Sequence, residues 1–171
     1  MRAVPITIRL AQLADANVLA RAERAITATP GFLVSTPAEC TEERFAQKIA
    51  ALAIADNGRY FVAESAGQIV GHGLLDPLPL QAVRHVVHLT LAIHRGWQRR
   101  GIGRVLLAEL IAWARAAPAI EKIELKVRSS NVGAQALYVA LGFTEVGRWT
   151  RRVKIGAGQY LDDVGMELFV S

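Results

Sequence analysis

The 171-residue chain is predicted to fold as one α/β domain, residues 1–171, around a single mixed sheet with helices on both faces. Three observations predict it. Short alternating or apolar runs bounded by Gly, Pro and Asp recur along the chain, interspersed with stretches of 3.6-residue apolar period. The apolar run His88 to Ile93 passes into the amphipathic run Ile102 to Trp113 through a basic loop, Gln98-Arg99-Arg100-Gly101-Ile102-Gly103. No repeat, low-complexity tract or linker divides the chain, and its length suffices to bury a core.

Taken in order, Ile6-Thr7-Ile8-Arg9-Leu10 alternates as a first strand. Asp15 to Thr27, alanine-rich with Val18, Leu19 and Ala22, reads as a helix capped by Asp15. Pro30 and Gly31 make Thr29 to Thr36 a loop. Thr36-Pro37-Ala38-Glu39 has the form of a capping box with proline at the first helical position. The helix it opens runs to about Ile54, with Phe45, Ile49 and Leu52 on one stripe. Tyr60 to Glu64 and Ile69 to Leu75 flank Ala66-Gly67 as a hairpin, and Val86 to Ile93 is the fourth strand. The helix after the basic loop runs to about Ala116, ahead of Pro118, with Ile102, Leu106, Leu110 and Trp113 facing the core.

Lys122 to Val127 is a fifth strand. A short helix follows with both ends marked: Asn131 is a good N-cap, and Gly142 suits the left-handed position past its end, with Phe143 as the accompanying apolar contact. Ala134, Leu137, Tyr138 and Leu141 share one face, so Tyr138 points inward. Strands near Thr144 to Lys154 and Gln159 to Phe169 pair across Gly156-Ala157-Gly158, making about seven strands.

Composition narrows the function. Hydrophobic residues make up 52 %, which excludes a disordered chain. No apolar run reaches the ~18 residues that cross a membrane. Arg9 interrupts any signal-like core in Met1 to Leu10, and the single cysteine, Cys40, cannot form an internal disulfide, so a cytoplasmic location is expected. The net charge of +5 raises nucleic acid as a partner. Basic residues are not interleaved with aromatics, however, and a polyanionic cofactor explains the arginines near residue 100 more economically.

At the strand-to-helix junction, backbone N–H groups lack helical partners and the helix dipole adds positive potential. Glycine allows close approach and arginine adds fixed charge, so the loop forms a pocket for a di- or triphosphate-like anion. The spacing is neither the dinucleotide fingerprint nor the P-loop. By itself it fits equally a tight turn with solvated arginines, and Tyr138 by itself fits a core tyrosine.

Together, Gln98 to Gly103 and the later Asn131-x-x-Ala134-x-x-Leu137-Tyr138-x-x-x-Gly142-Phe143 resemble the GNAT superfamily of acetyl-CoA-dependent N-acetyltransferases, over roughly Ile6 to Phe169. The resemblance implies a mostly antiparallel mixed sheet that splays between the fourth and fifth strands, the ladder being broken there by a β-bulge. It implies acetyl-CoA as co-substrate, its pyrophosphate on Gln98, Arg99, Arg100, Gly101, Ile102, Gly103 and Arg104, and its pantetheine along Leu91, Ala92 and Ile93, met by the helix start at Asn131. It also implies Tyr138 as the acid that protonates the departing thiolate, and a helix-loop-helix overhang of the acceptor site. The implied reaction moves an acetyl group to a primary amine of a small molecule, an amino acid or amine-like acceptor, by direct attack in a ternary complex. Acetylation of a protein N-terminus or lysine, and acyl-CoA binding without turnover, stand as alternatives; an intact Tyr138 favours an enzyme.

Many relatives carry a glutamate on the fifth strand where this chain has Lys126. Glu124, His85 and His88 are the remaining base candidates; each by itself reads as an ordinary strand charge or satisfied imidazole, with His88 the leading exception and a water chain as the alternative to any side-chain base. His72 and His94 make no metal-ligand spacing with the others, so no metal is expected, and His94 reads as structural. Arg148, Arg151, Arg152 and Lys154 read as a solvated basic face, and Asp162 and Asp163 as hairpin-edge charges in preference to holders of a cationic acceptor. No nucleic acid or membrane partner is expected, and the chain is expected to be a monomer or homodimer.

Overall fold

The computed structural model describes residues 5–171; residues 1–4, part of the start and of the 1–171 domain expectation read above, lie outside them. The elements are β1 (Thr7–Leu10), α1 (Ala16–Thr27), α2 (Glu42–Ile54), β2 (Arg59–Ser65), β3 (Gln68–Pro77), β4 (Val86–Ile93), α3 (Ile102–Ala116), β5 (Lys122–Arg128), α4 (Val132–Ala140), β6 (Thr144–Gly156) and β7 (Gln159–Phe169). The seven strands form one sheet in the order β1-β2-β3-β4-β5-β7-β6. Only the central β4–β5 pair is parallel. Its crossover is α3, as parallel neighbours require.

Strand alternation sends each sheet face to its own core. Tyr60, Val62 and Leu74 pack with Leu19, Phe45, Ile49 and Leu52 beneath α1 and α2. On the opposite face Phe61, Leu75, Val87 and Leu89 meet Leu106, Leu107 and Leu110 of α3. Each such fully buried leucine stabilises the fold by roughly 1.5–3 kcal/mol through the water it releases. Trp113, at the far end of the α3 stripe, is half-buried and carries Arg59 over its ring at 4.7 Å.

Three local expectations are corrected. Asp15 does not cap α1: its carboxylate accepts from the Gln12 backbone N–H at 2.8 Å and from Arg9 at 2.8 Å, closing the 3-10 turn before the helix. The Thr36 capping box forms, but it closes a one-turn 3-10 segment, Pro37–Glu39. α2 starts later, with Thr41 accepting from Arg44 N at 3.3 Å. No bulge opens the sheet between β4 and β5. β4 pairs with β3 without a register shift from Gly71↔Ile93 to Pro77↔Val87, whereas its pairing with β5 ends at His88↔Glu124. The two strands diverge beyond that point, and the splay needs no extra residue.

Candidate active site

The divergence opens a cleft of about 1250 Å³ running from the start of α3, along β4, to the space beneath α1 and α2. Pockets for drug-sized ligands span roughly 300–1,000 Å³, so this one has room for a cofactor arm and a second molecule. Leu91, Ala92 and Ile93 line it on the β4 side. Freed from β5, this segment of β4 offers unpaired backbone groups to an extended ligand.

At one end, the turn into α3 is built by backbone conformation. Gly101 caps the helix at φ 80°, a left-handed position costly for a residue with a Cβ, and Arg99 shares that region at φ 63°. The first helical bonds run from Arg104 N and Val105 N to Gly101 O, so the amides of Ile102 and Gly103 precede the hydrogen-bonded turns. Gln98, Arg99, Gly101, Gly103 and Arg104 line the cleft. Two members of the expected set do not. Ile102 is 1 % exposed and belongs to the core, while the Arg100 guanidinium lies over Trp97 at 4.8 Å. Gln98 shapes the loop: its side chain accepts from Gly96 N at 3.0 Å and donates to Ile93 O at 3.2 Å, tying the loop to the end of β4.

The tyrosine helix forms as its sequence predicts. The Asn131 side chain accepts from Ala134 N at 3.3 Å, and Gly142 takes φ 96° beyond the last turn. Gln135 donates to the carbonyls of Arg128 and Ser129 at 3.0 and 3.1 Å, fastening α4 to the end of β5. Asn131 and Tyr138 both line the cleft, and the Tyr138 ring packs on Phe143, centroids 5.7 Å apart. Burial pushes the Tyr138 hydroxyl up to about 12, against a smaller pull from the Arg128 charge. It therefore stays protonated at neutral pH and can donate.

His88 lines the cleft, and burial, then the Lys126 charge, lower its pKa below the ordinary imidazole value, against Asp76 and Glu124. A neutral imidazole there is a competent proton acceptor. The other base candidates are elsewhere. Glu124 forms an ion pair with Lys122 at 2.7 Å, and His85 precedes β4 with its carbonyl accepting from the Glu121 and Lys122 amides; neither lines the cleft. Lys126 does line it, with its ammonium 5.4 Å from the Trp149 ring centroid.

Several lining residues escaped sequence reasoning. Asp163 is no hairpin-edge charge: it is 2 % exposed and forms an ion pair with Arg128, itself 3 % exposed. Asp162 accepts from Arg151 N at 2.7 Å, and Arg152 of the basic run reaches the cleft. Glu23 lines the α1 side and binds a buried His72–His94 pair. The signal for Glu23 was present, since a carboxylate at i+3 and i+4 from Ala20 and Leu19 falls on the apolar stripe of α1. No group of three or more potential metal ligands occurs among the described residues. Among them, too, no helix is long and apolar enough to cross a membrane.

Comparison with known proteins places this geometry. The family described as "Acetyltransferase (GNAT) family" matches residues 27–143. N-alpha-acetyltransferase RimI of Mycobacterium tuberculosis is 36 % identical over 106 residues, covering 61 % of this chain and 64 % of that protein. L-amino acid N-acetyltransferase AaaT of Escherichia coli is 28 % identical over 108 residues, again covering 61 % of this chain and 64 % of the relative. In both cases the match spans less than two thirds of the relative. Among solved structures, yncA of Salmonella typhimurium, a putative acetyltransferase determined with its cofactor acetyl-CoA, superposes at a TM-score of 0.89. It is 23 % identical, over 98 % of this chain and 95 % of that one, and shares the fold.

Proposed function

The chain belongs to the acetyltransferase (GNAT) family, and on that premise we propose that it is an N-acetyltransferase moving an acetyl group from acetyl-CoA to a primary amine of a small molecule, an amino acid or amine-like acceptor. The observation that carries this reading is the cleft that joins an arginine-bearing helix-start loop, an unpaired strand segment and a buried, protonated tyrosine. In this reading the pyrophosphate sits on the amides and arginines between Gln98 and Arg104, and the pantetheine arm extends along Leu91 to Ile93. Backbone N–H groups there polarise the thioester carbonyl. The ammonium gives one proton to His88, and the neutral amine attacks the carbonyl carbon. The C–S bond breaks, and the thiolate takes the Tyr138 proton. With a reference pKa of ~8.5 for a thiol against about 12 for Tyr138, that last transfer is uphill, so positioning supplies most of the acceleration.

Direct transfer, without an acyl-enzyme, is supported by Cys40. It is the only cysteine, 1 % exposed, and burial raises its pKa, so it is a poor nucleophile. The RimI and AaaT names, one an N-alpha-acetyltransferase and one an L-amino acid N-acetyltransferase, keep an N-terminal peptide as the second reading. A single domain in the cytoplasm fits both readings. Screening free-thiol release from acetyl-CoA over amino acids, small amines and N-terminal peptides tests the proposal. Release with a small amine supports it, release with peptides alone selects the second reading, and binding of acetyl-CoA with no release for any amine contradicts both.

A further inference from the structure

On the α1 side of the cleft a buried chain of three side chains carries a countable number of protons. His94 Nδ1 lies 2.9 Å from the carbonyl oxygen of Ile69, which only accepts, so that nitrogen carries a hydrogen. Burial, with the neighbouring His72, lowers His94 to about 4, so the ring is neutral and its Nε2 is bare. Nε2 must therefore accept from His72 Nδ1, 3.1 Å away. That leaves His72 Nε2 facing Glu23 Oε1 at 3.0 Å. A bare nitrogen cannot bond to a carboxylate, so one further proton belongs to this pair. Placed on the ring, that proton makes the 3.0 Å contact an ion pair with Glu23 as its anion.

The carboxylate has unmet capacity. Its second oxygen, Oε2, has the Cys40 thiol at 4.0 Å and no lysine or arginine within salt-bridge distance among the described residues. Nearby cations are engaged elsewhere: Arg24 with Cys40 O at 2.7 Å, Arg44 with Glu39 O at 3.3 Å and Lys48 with Asp76 at 2.5 Å. Glu23 is 8 % exposed and lines the cleft with Phe32, Phe45 and Leu74. His72 is the cross-strand partner of Ala92, so the carboxylate stands over the stretch of β4 that runs along the splay. A buried carboxylate whose second oxygen meets only a thiol at 4.0 Å favours a cation.

We propose that Glu23 docks the cationic amine of the acceptor, with His72 and His94 as positioning residues that hold its carboxylate ionised and aimed into the cleft. This rests on the acetyltransferase reading and assigns it a residue. The acceptor docks as an ammonium with an apolar side chain against Phe32, Phe45 and Leu74, and Glu23 and His72 keep their own protonation, so docking itself moves no proton.

The test is made at equilibrium, without turnover. Protein loaded with coenzyme A is titrated calorimetrically with L-phenylalaninamide and with 3-phenylpropanamide, which lacks the amine. Wild-type protein should bind the amine at least tenfold more tightly than its deaminated analogue, the effect of one charged hydrogen bond. In Glu23→Gln the two ligands should bind alike. A glutamine amide can donate to His72 Nε2, so the chain is satisfied without the extra proton, and melting should confirm an intact fold. ¹⁵N spectra at pH 7 should show both His72 nitrogens protonated in the wild type and one bare in the variant. The ligand pair tests the wild type alone, whatever the variant's stability. Equal binding of the two ligands by the wild type, no binding of the amine, or a neutral His72 ring would each overturn the proposal. Absent thiol release with intact amine binding would instead overturn the acetyltransferase reading and leave the docking site standing.

Discussion

At the residue scale, Tyr138 and His88, the proposed proton donor and acceptor, differ in how their surroundings tune them. Burial raises Tyr138 to about 12 and lowers His88, so at neutral pH the tyrosine is protonated and the histidine is neutral. Protonating His88 removes the base, and its pKa is depressed. The acid limb of kcat should therefore fall below the ~6.5 of free imidazole. His88→Gln should abolish that limb, and a limb that survives the substitution would assign it to another group. Tyr138→Phe deletes the donated proton and keeps the ring against Phe143. Turnover should drop about 10²-fold or more, with acetyl-CoA affinity and melting temperature held. Unchanged turnover in the folded variant would mean that water protonates the thiolate. The placement of Tyr138 and His88 along the cleft was legible because one sits in a marked helix and the other on an apolar strand. The inward position of Glu23 was legible from its stripe, but its partner, and that of Arg128, were not, because His72 and Asp163 lie 49 and 35 residues away and only the folded sheet brings them close.

At the element scale, the anion loop and α4 each work through a helix N-terminus. Arg99 and Arg104 flank the amides at the start of α3. Neutralising both should weaken acetyl-CoA by at least tenfold, since charged hydrogen bonds contribute ~1.5–3 kcal/mol each. Unchanged calorimetric affinity would remove the phosphate from this loop. Asn131→Ala removes the side-chain cap of α4 and should cost about 1 kcal/mol in urea unfolding. A loss near zero would mean that Gln135, clamped to the end of β5, suffices to hold the helix. The loop was legible as a helix-start turn beside a cleft, yet its sequence treats Arg100 and Ile102 as equals of their neighbours. Which side chain turns to the core and which to the cleft is set by the left-handed residues Arg99 and Gly101. The order and extent of α3 and β4 were legible from period and punctuation. The start of α2 was misplaced because a one-turn 3-10 segment can satisfy the same capping box.

For the whole molecule, two cores grip one sheet, and the buried His94 couples them to pH. Its pKa is about 4 in the folded protein and ~6.5 in an unfolded chain, so the unfolded state takes up the proton first. Stability should fall as pH drops from ~6.5 towards ~4, by up to about 3 kcal/mol from this group. An unfolding midpoint equal at pH 7 and pH 4.5 would mean that His94 charges within the native fold. The strand count and the splay were legible, the latter through resemblance to a known family. The means of opening was not, since a bulge and a simple divergence leave the same residues along β4. What the divergence creates is one cleft with room for two substrates and no exposed thiol to carry an acyl group between them. Initial rates of thiol release with acetyl-CoA and an accepted amine both varied test this most directly. Direct transfer in a ternary complex predicts reciprocal plots that intersect; parallel lines, the mark of an acyl-enzyme, would contradict it.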